Sequence, residues 1–223
     1  MLVIKNMTKK FGDRTIFNNV DCELKEGVSY AIIGKSGVGK TTFLNILGGL
    51  ESPSSGEVLV DNVPVNEANL PKLRRDKFGF IFQNFGLIDD ETVKENLEIG
   101  FANQKIPKEE QKRRILKALD ELDLKGISLS QKVHTLSGGE QQRIALARII
   151  LKSPSIIFAD EPTGSLDAGN SKLILNHLLT DFGPKATIFI ATHDFRVWDK
   201  CDYIIKIKNK DILLVSNNIQ MEK

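Results

Sequence analysis

The sequence predicts an α/β fold in which a mainly parallel sheet surrounds a phosphate-binding loop, flanked by an antiparallel β-subdomain and interrupted by an inserted helical subdomain. Three observations predict it. The stretch Gly34-Lys35-Ser36-Gly37-Val38-Gly39-Lys40-Thr41-Thr42 fits G-x-x-x-x-G-K-[ST] and stands between the apolar run 28–33 and the apolar segment 43–47. Short apolar runs of the buried-strand kind recur at 78–82, 156–159 and 186–191, each followed by polar residues. Between the first two of these, helical periodicity sets in at about residue 91 and lasts to 152, so the helical subdomain is placed at approximately 84–152 within a single domain spanning 1–223.

The glycine loop has a clear physical reason. Backbone N–H groups must wrap a polyphosphate closely, glycines permit that curvature, and a helix N-terminus adds partial positive charge. In a phosphate-loop NTPase core Lys40 reaches the β- and γ-phosphates, Thr41 gives its hydroxyl to Mg²⁺ and Thr42 hydrogen-bonds the α-phosphate.

Composition sets the limits. With 223 residues, 41% hydrophobic and 27% charged, the chain is long enough for one sizeable core and has the balance of an ordinary globular protein. The 31 basic and 29 acidic residues leave a formal charge of +2, which aims no long-range field at nucleic acid or anionic lipid. The basic clusters Lys72/Arg74/Arg75/Lys77 and Lys112/Arg113/Arg114 are interleaved with acids and read as solvated faces. Cys22 and Cys201 stand far apart and outside metal-ligand spacing, which suggests a reducing compartment. No signal-peptide apolar region opens the chain, and no apolar run approaches the roughly 18 residues of a membrane span, so a partner is expected to supply any span.

In chain order, residues 2–4, 16–24 and 57–65 cluster or alternate apolar residues between turn signals and predict the antiparallel sheet. Phe11, before Gly12-Asp13, is either an adenine-stacking ring or a core phenylalanine. Gln83 sits at the end of the strand 78–82, ahead of the loop 84–90, whose Phe85, Leu87 and Ile88 form an expected apolar surface cluster suited to a partner. Thr92 with Glu95 makes a capping box, and Ile115, Leu116, Leu119 and Leu122 repeat at helical spacing. Leu136-Ser137-Gly138-Gly139-Glu140 opens the apolar helix 144–151; Ser137 is a good N-cap and the glycines expose helix N–H groups, a second anion site without a lysine of its own. Asp160 and Glu161 end the strand 156–159 at the side of a parallel sheet where ligands bind, Asp160 suited to hold Mg²⁺ and Glu161 to polarise the attacking water. A helix around 171–182, a strand ending at Thr192-His193, a hairpin over 203–215 and a polar tail follow, with His193 either touching a γ-phosphate or serving as a structural histidine.

With 34–42, Gln83, 136–142, 156–161, 165–167 and His193 in this order, the chain resembles the ATP-binding-cassette (ABC) ATPases over essentially its full length. The resemblance implies that Phe11 stacks adenine, Gln83 senses Mg²⁺ and the γ-phosphate, Asp160 is the metal-side carboxylate, Glu161 the catalytic base and His193 the switch histidine. It also implies that Ser137 and Gly139, within Leu136–Glu140, bind the γ-phosphate of a nucleotide held by the opposite subunit, and that Asp167 couples the two sites. ATP and Mg²⁺, a homodimer and an integral-membrane permease met near Phe85, Leu87 and Ile88 follow, with the protein at the cytoplasmic face of the membrane and no nucleic acid expected.

Asp160-Glu-Pro-Thr-Gly-Ser-Leu-Asp167 is similar to the ATPases of macrolide-export, lipoprotein-release and cell-division permeases, and the segment Leu87–Leu97 to exporters of lactococcin 972-type bacteriocins. Phe11 stands where the family commonly has Tyr but keeps a stacking surface, and Lys35 and Val38 fall at variable positions of the loop. Two other classes compete. A soluble ABC ATPase acting on DNA or ribosomes would bring tandem cassettes or long heptad runs, absent here. A nucleotide switch without turnover would have no need of Glu161.

Overall fold

The computed structural model describes residues 1–102, 104–164, 168–182 and 185–217. Strands β1 (Leu2–Phe11) and β2 (Arg14–Leu24) form a hairpin about Gly12-Asp13, with Phe11 opposite Arg14. Strand β3 (Ser29–Ile33) leaves this hairpin for a second sheet, while β4 (Ser55–Val60) and β5 (Val63–Pro64) return to it, giving the antiparallel order β2-β1-β4-β5. The expected β-subdomain is therefore present, and its first strand is longer than its apolar start suggested: the lysines of 5–10 lie on it.

The second sheet adds β6 (Phe78–Ile81), β7 (Ile156–Asp160), β8 (Thr187–Ala191), β9 (Tyr203–Lys208) and β10 (Asp211–Ser216), in the order β10-β9-β3-β8-β7-β6. All its pairs are parallel except β9 with β10, the expected hairpin about Asn209-Lys210. The inner strands read as continuous apolar runs because both faces are covered, yet the two faces serve different cores. Ala31, Ile157, Ala159, Ile188 and Ile190 belong to the core shared with the helices that follow β6. Tyr30, Ile32, Phe158 and Phe189 belong to the core shared with the antiparallel sheet. On that second face the rings stack across the strands: Tyr30 on Phe189 at 5.1 Å, Phe189 on Phe158 at 5.6 Å and Phe158 on Phe80 at 5.4 Å.

Helices α1 (Lys40–Leu47) and α2 (Leu70–Asp76) follow β3 and β5. Between β6 and β7 come α3 (Val93–Glu98), α4 (Lys108–Glu121) and α5 (Gly138–Lys152), with short 3₁₀ turns at Ile99–Phe101 and Val133–Thr135. The Thr92–Glu95 capping box forms as expected. Leu116 does not join Ile115, Leu119 and Leu122: it is 51% exposed, and Ala118 takes the inner position because 100° per residue turns 116 outward when 115 and 119 face in. After β7 come α6 (Ala168–Asn176) and, after β8, α7 (Phe195–Trp198). The helix expected around 171–182 changes geometry part-way: from His177 to Phe182 it is a π-helical turn, with His177 Nδ1 2.6 Å from Asp181 and Nε2 3.1 Å from the Glu121 carbonyl at the end of α4. Among the described residues no helix is long and apolar enough to cross a membrane.

Phe158 is fully enclosed and meets the rings of Phe78, Phe80 and Phe189. Phe158→Ala is expected to lower the free energy of unfolding by about 3–5 kcal/mol in urea titrations, the usual cost of a large ring deleted from a packed core. A loss no larger than that of an exposed-site control would refute the ladder's place in stability.

Candidate functional site

The loop 34–42 turns off the C-terminal end of β3 and runs into α1, as its motif requires. Gly39, the N-cap of α1, has φ +114°, and a Cβ there would lie 2.5 Å from the Ile16 side chain, so no other residue fits. Lys40, Thr41 and Thr42 then fill the first turn of α1, with Lys40 Nζ 3.4 Å from the Gly34 carbonyl and Lys35 and Ser36 exposed. Val38 is half-buried and packs against the core beneath the antiparallel sheet. Beside the loop lies a cavity of about 230 Å³ lined by Phe11, Arg14, Ile16, Gly37 and Lys40–Thr42. Phe11 is 48% exposed at its mouth, with Lys9 Nζ 4.6 Å from the ring centroid, which excludes the core reading. Arg14 donates to the Gly37 carbonyl at 2.9 Å and buttresses the loop from β2.

Across the sheet the ends of β8 and β7 bring up the acidic residues. Asp160, the last residue of β7, accepts from Thr41 Oγ1 at 3.3 Å. Burial pushes its carboxyl above the usual range, opposed by the Thr41 hydrogen bond, reinforced by the neighbouring Glu161 charge and eased by Lys40. Glu161 has the left-handed φ of +45°, uncommon for a residue with a Cβ, and its N–H donates to the Ala191 carbonyl at 2.9 Å. Its carboxylate accepts from His193 Nδ1 at 2.8 Å and from Thr192 Oγ1 at 3.4 Å, so the proton on the His193 ring is assigned to Nδ1. Gln83 lies exposed two residues beyond β6, whose Ile81 pairs with Ala159, which puts it at the same sheet end as Asp160. The Thr41 hydroxyl and Asp160 carboxylate are hard oxygen donors of the kind Mg²⁺ takes, and it usually keeps other sites for water and phosphate oxygens. Among the described residues no group of three or more His, Cys, Asp and Glu is arranged to hold a metal ion.

The third group stands apart. Leu136 is buried, whereas Ser137 and Gly138 are exposed and Gly139 half-exposed at the N-terminus of α5. Ser137 and Glu140 close a capping box: the Ser137 N–H and hydroxyl both donate to the Glu140 carboxylate, at 2.8 and 2.7 Å, and hold its pKa down. Among the described residues no hydrogen bond or ion pair joins 137–140 to 34–42. Asp167, with Ser165, lies outside the described residues. The sequence reading missed Arg14, Thr192 and Gln142. A lone arginine in a hairpin carries no signal, but a polar residue closing an apolar strand, as Thr192 closes β8, was a signal that could have been read.

Residues 17–164 match the family model described as ABC transporter. The chain is 40% identical over 224 residues to the uncharacterized ABC transporter ATP-binding protein MJ0796 of Methanocaldococcus jannaschii, covering 95% of each. It is 38% identical over 218 residues to the macrolide export ATP-binding/permease protein MacB of Campylobacter jejuni, covering 96% of this chain and 34% of that protein, so it spans about a third of the MacB length. Among solved structures, a dimeric post-hydrolysis state of the cassette MJ0796 bound to ADP and Pi superposes with a TM-score of 0.86 at 37% identity, covering 97% of this chain and 99% of that one.

Because the Asp160 carboxyl is raised on folding, the stability it contributes is complete below its unfolded pKa of about 3.9 and is lost as pH rises through the higher folded value. At pH 7 Asp160→Asn is therefore expected to raise the Tm of the nucleotide-free protein, with the difference shrinking toward pH 4, and to remove the further rise given by Mg-ATP. Melts at both pH values check this; a lower Tm at pH 7 would contradict it.

Proposed function

The chain belongs to the ABC transporter family as an ATP-hydrolysing cassette, and we propose that two copies close around two Mg-ATP to drive a membrane permease. The observation that carries the reading is the division of one chain into two unlike anion sites. The loop 34–42 has the lysine and the Thr41–Asp160 pair, with the Glu161–His193 pair at the neighbouring strand ends, whereas the N-terminus of α5 offers N–H groups and Ser137 with no cation of its own. Two-fold symmetry lets each chain finish the other's site. The solved MJ0796 relative is a dimer, which supports this arrangement.

In this reading Lys40 and the loop N–H groups, helped by the α1 N-terminus, hold the β- and γ-phosphates, Phe11 stacks adenine, and Thr42 bonds the α-phosphate. Thr41, Asp160 and Gln83 would hold Mg²⁺, which neutralises charge on the phosphate oxygens. Glu161 takes the proton of the attacking water, with His193 and Thr192 fixing its carboxylate. Leu136–Glu140 closes over the partner's nucleotide, and Asp167 joins the two sites.

The permease contact is placed at the loop after Gln83. Ile88 is 50% exposed there, whereas Phe85 and Leu87 are half-buried and Leu87 packs on the core, which narrows the expected surface cluster to Ile88 with the edges of the other two. Asn96, fully buried on α3, grips both the N–H and the carbonyl of Ile88, at 2.8 and 3.0 Å, so a shift at Gln83 is transmitted to the helical region through a held loop. The MacB relatives, named as export ATP-binding/permease proteins, support export. The finer substrate class, a bacteriocin or related antimicrobial peptide, rests on the segment Leu87–Leu97.

Glu161→Gln with saturating ATP is expected to elute as a dimer with turnover reduced about 10²–10⁴-fold, while Ser137→Arg stays monomeric because its bulk fills the second anion site. Two monomers by light scattering would sink the two-site closure. In detergent, Ile88→Asp is expected to keep ATP binding but lose co-purification with the permease. The wild-type complex is expected to show ATPase stimulation by a bacteriocin-like peptide and none by a macrolide; the reverse selectivity would reject the finer class.

A further inference from the structure

Among the described residues, three hydrogen bonds to the backbone hold the turn that carries Glu161. The Glu161 N–H donates to the Ala191 carbonyl at 2.9 Å, and its own carbonyl accepts from the Gly164 N–H at 3.1 Å. The third comes from a distant element: Gln142 Nε2, on α5, donates to the Pro162 carbonyl at 2.9 Å. Gln142 is 2% exposed, although glutamine on a helix normally faces water. A carbonyl only accepts, so the amide nitrogen must face it, and the orientation of the Gln142 side chain is fixed by its partner.

The geometry of the turn makes this bond consequential. Glu161 sits at φ +45°, a conformation that costs a β-carbon residue free energy and persists only where the surroundings hold it. Pro162 has no N–H, so its carbonyl is the sole backbone hydrogen-bonding group with which it anchors the turn. The next residue of α5, Arg143, reaches Asn170 Oδ1 at the start of α6, so consecutive residues of one helix grip the chain on both sides of the segment that follows the base. Among the described residues, Arg143 Nε is buried without a hydrogen-bond partner, which leaves Gln142 as the better matched of the two ties.

We propose that Gln142 is a positioning residue for Glu161, holding the strained turn so that the carboxylate faces the attacking water; this rests on the reading of Glu161 as the base. Without the donor, the Pro162 carbonyl is buried and unpaired, Glu161 relaxes from its left-handed conformation, and the carboxylate leaves its place beside His193. Among the described residues the Gln142 side chain makes no hydrogen bond to the loop 34–42, so the proposal gives it no task in binding nucleotide there.

Two substitutions test it. Gln142→Leu keeps the volume and removes the donor; kcat is expected to fall about 10²-fold, the effect of misplacing a catalytic group by about an ångström, with the Kd for Mg-ATP unchanged. The double variant with Glu161→Gln is expected to dimerise with ATP as the single one does. Gln142→Glu is expected to be as impaired near pH 8 and to recover, relative to wild type, as pH falls to about 5.5, because a buried carboxyl titrates high and its neutral form can donate O–H to the Pro162 carbonyl. The Kd for Mg-ATP is measured at both pH values beside kcat: a pH-dependent folding defect weakens binding near pH 8 in step with turnover, whereas a misplaced base leaves binding unchanged at both. Wild-type kcat in Gln142→Leu, a Kd that weakens in step with kcat, or no recovery of Gln142→Glu in acid would each overturn the proposal. Wild-type turnover in Glu161→Gln would remove the base itself, a failure distinguishable from these because it leaves nothing for Gln142 to position.

Discussion

The register of four parallel strands is the constraint on which the rest depends. Tyr30, Phe189, Phe158 and Phe80 lie opposite one another on β3, β8, β7 and β6 and stack across the sheet, so the four strands cannot slide independently. From that common level the chain runs on by only a few residues to Gly34, His193, Asp160 with Glu161, and Gln83. The functional groups therefore emerge at one edge because the rings fix where each strand stands, and a slip of one residue in β7 would exchange the faces of Phe158 and Ile157 along with moving Asp160. The same period-2 alternation feeds two cores, one under the antiparallel sheet and one under α3–α5, and so locks the sheet between them.

What was legible in the sequence was local chemistry. The glycine loop, the capping box at Thr92, the N-cap at Ser137 and the polar ends of apolar strands are each written within a few residues, and each stands where it was expected. Leu116 was misread because apolarity alone does not say which side of a helix a residue takes, and the inner place went to Ala118, too small to stand out in a hydrophobic pattern. Leu87 was expected at the surface, but the loop folds down onto the core while Ile88 is held outward by Asn96. The π turn at His177–Phe182 was not legible at all, since its partner at the end of α4 is remote in sequence. Gln142 escaped for the same reason, its meaning lying in a carbonyl supplied by another element, whereas Thr192 had a local signal as the polar end of an apolar strand and only its carboxylate partner was remote.

The site is also where the chain departs from low-energy local choices, as functional sites generally do. Asp160 keeps a carboxylate where burial disfavours its charge, Glu161 holds a left-handed backbone, and the α5 N-terminus is open to solvent. Two of these departures are of a kind that Mg-ATP would relieve: a cation stabilises the buried carboxylate, and phosphate oxygens satisfy free helix N–H groups. Binding therefore draws on free energy already stored in the fold, while the aromatic ladder and the two cores hold the strained groups in place.

The second anion site carries one further tension. In the single chain the Ser137 hydroxyl and N–H are both committed to the Glu140 carboxylate, whose pKa is lowered by those bonds, so a negative charge already sits where the proposed closure would bring a γ-phosphate. A phosphate approaching this helix start competes with the chain's own cap for Ser137, and only the N–H groups of the two glycines are offered without an exchange of partners. In the proposed closure a local capping box would be exchanged for an intermolecular contact of similar chemistry, so the net gain would be modest. The proposed closure would then form while ATP is intact and reopen once hydrolysis removes the γ-phosphate, as reversible coupling to a permease requires.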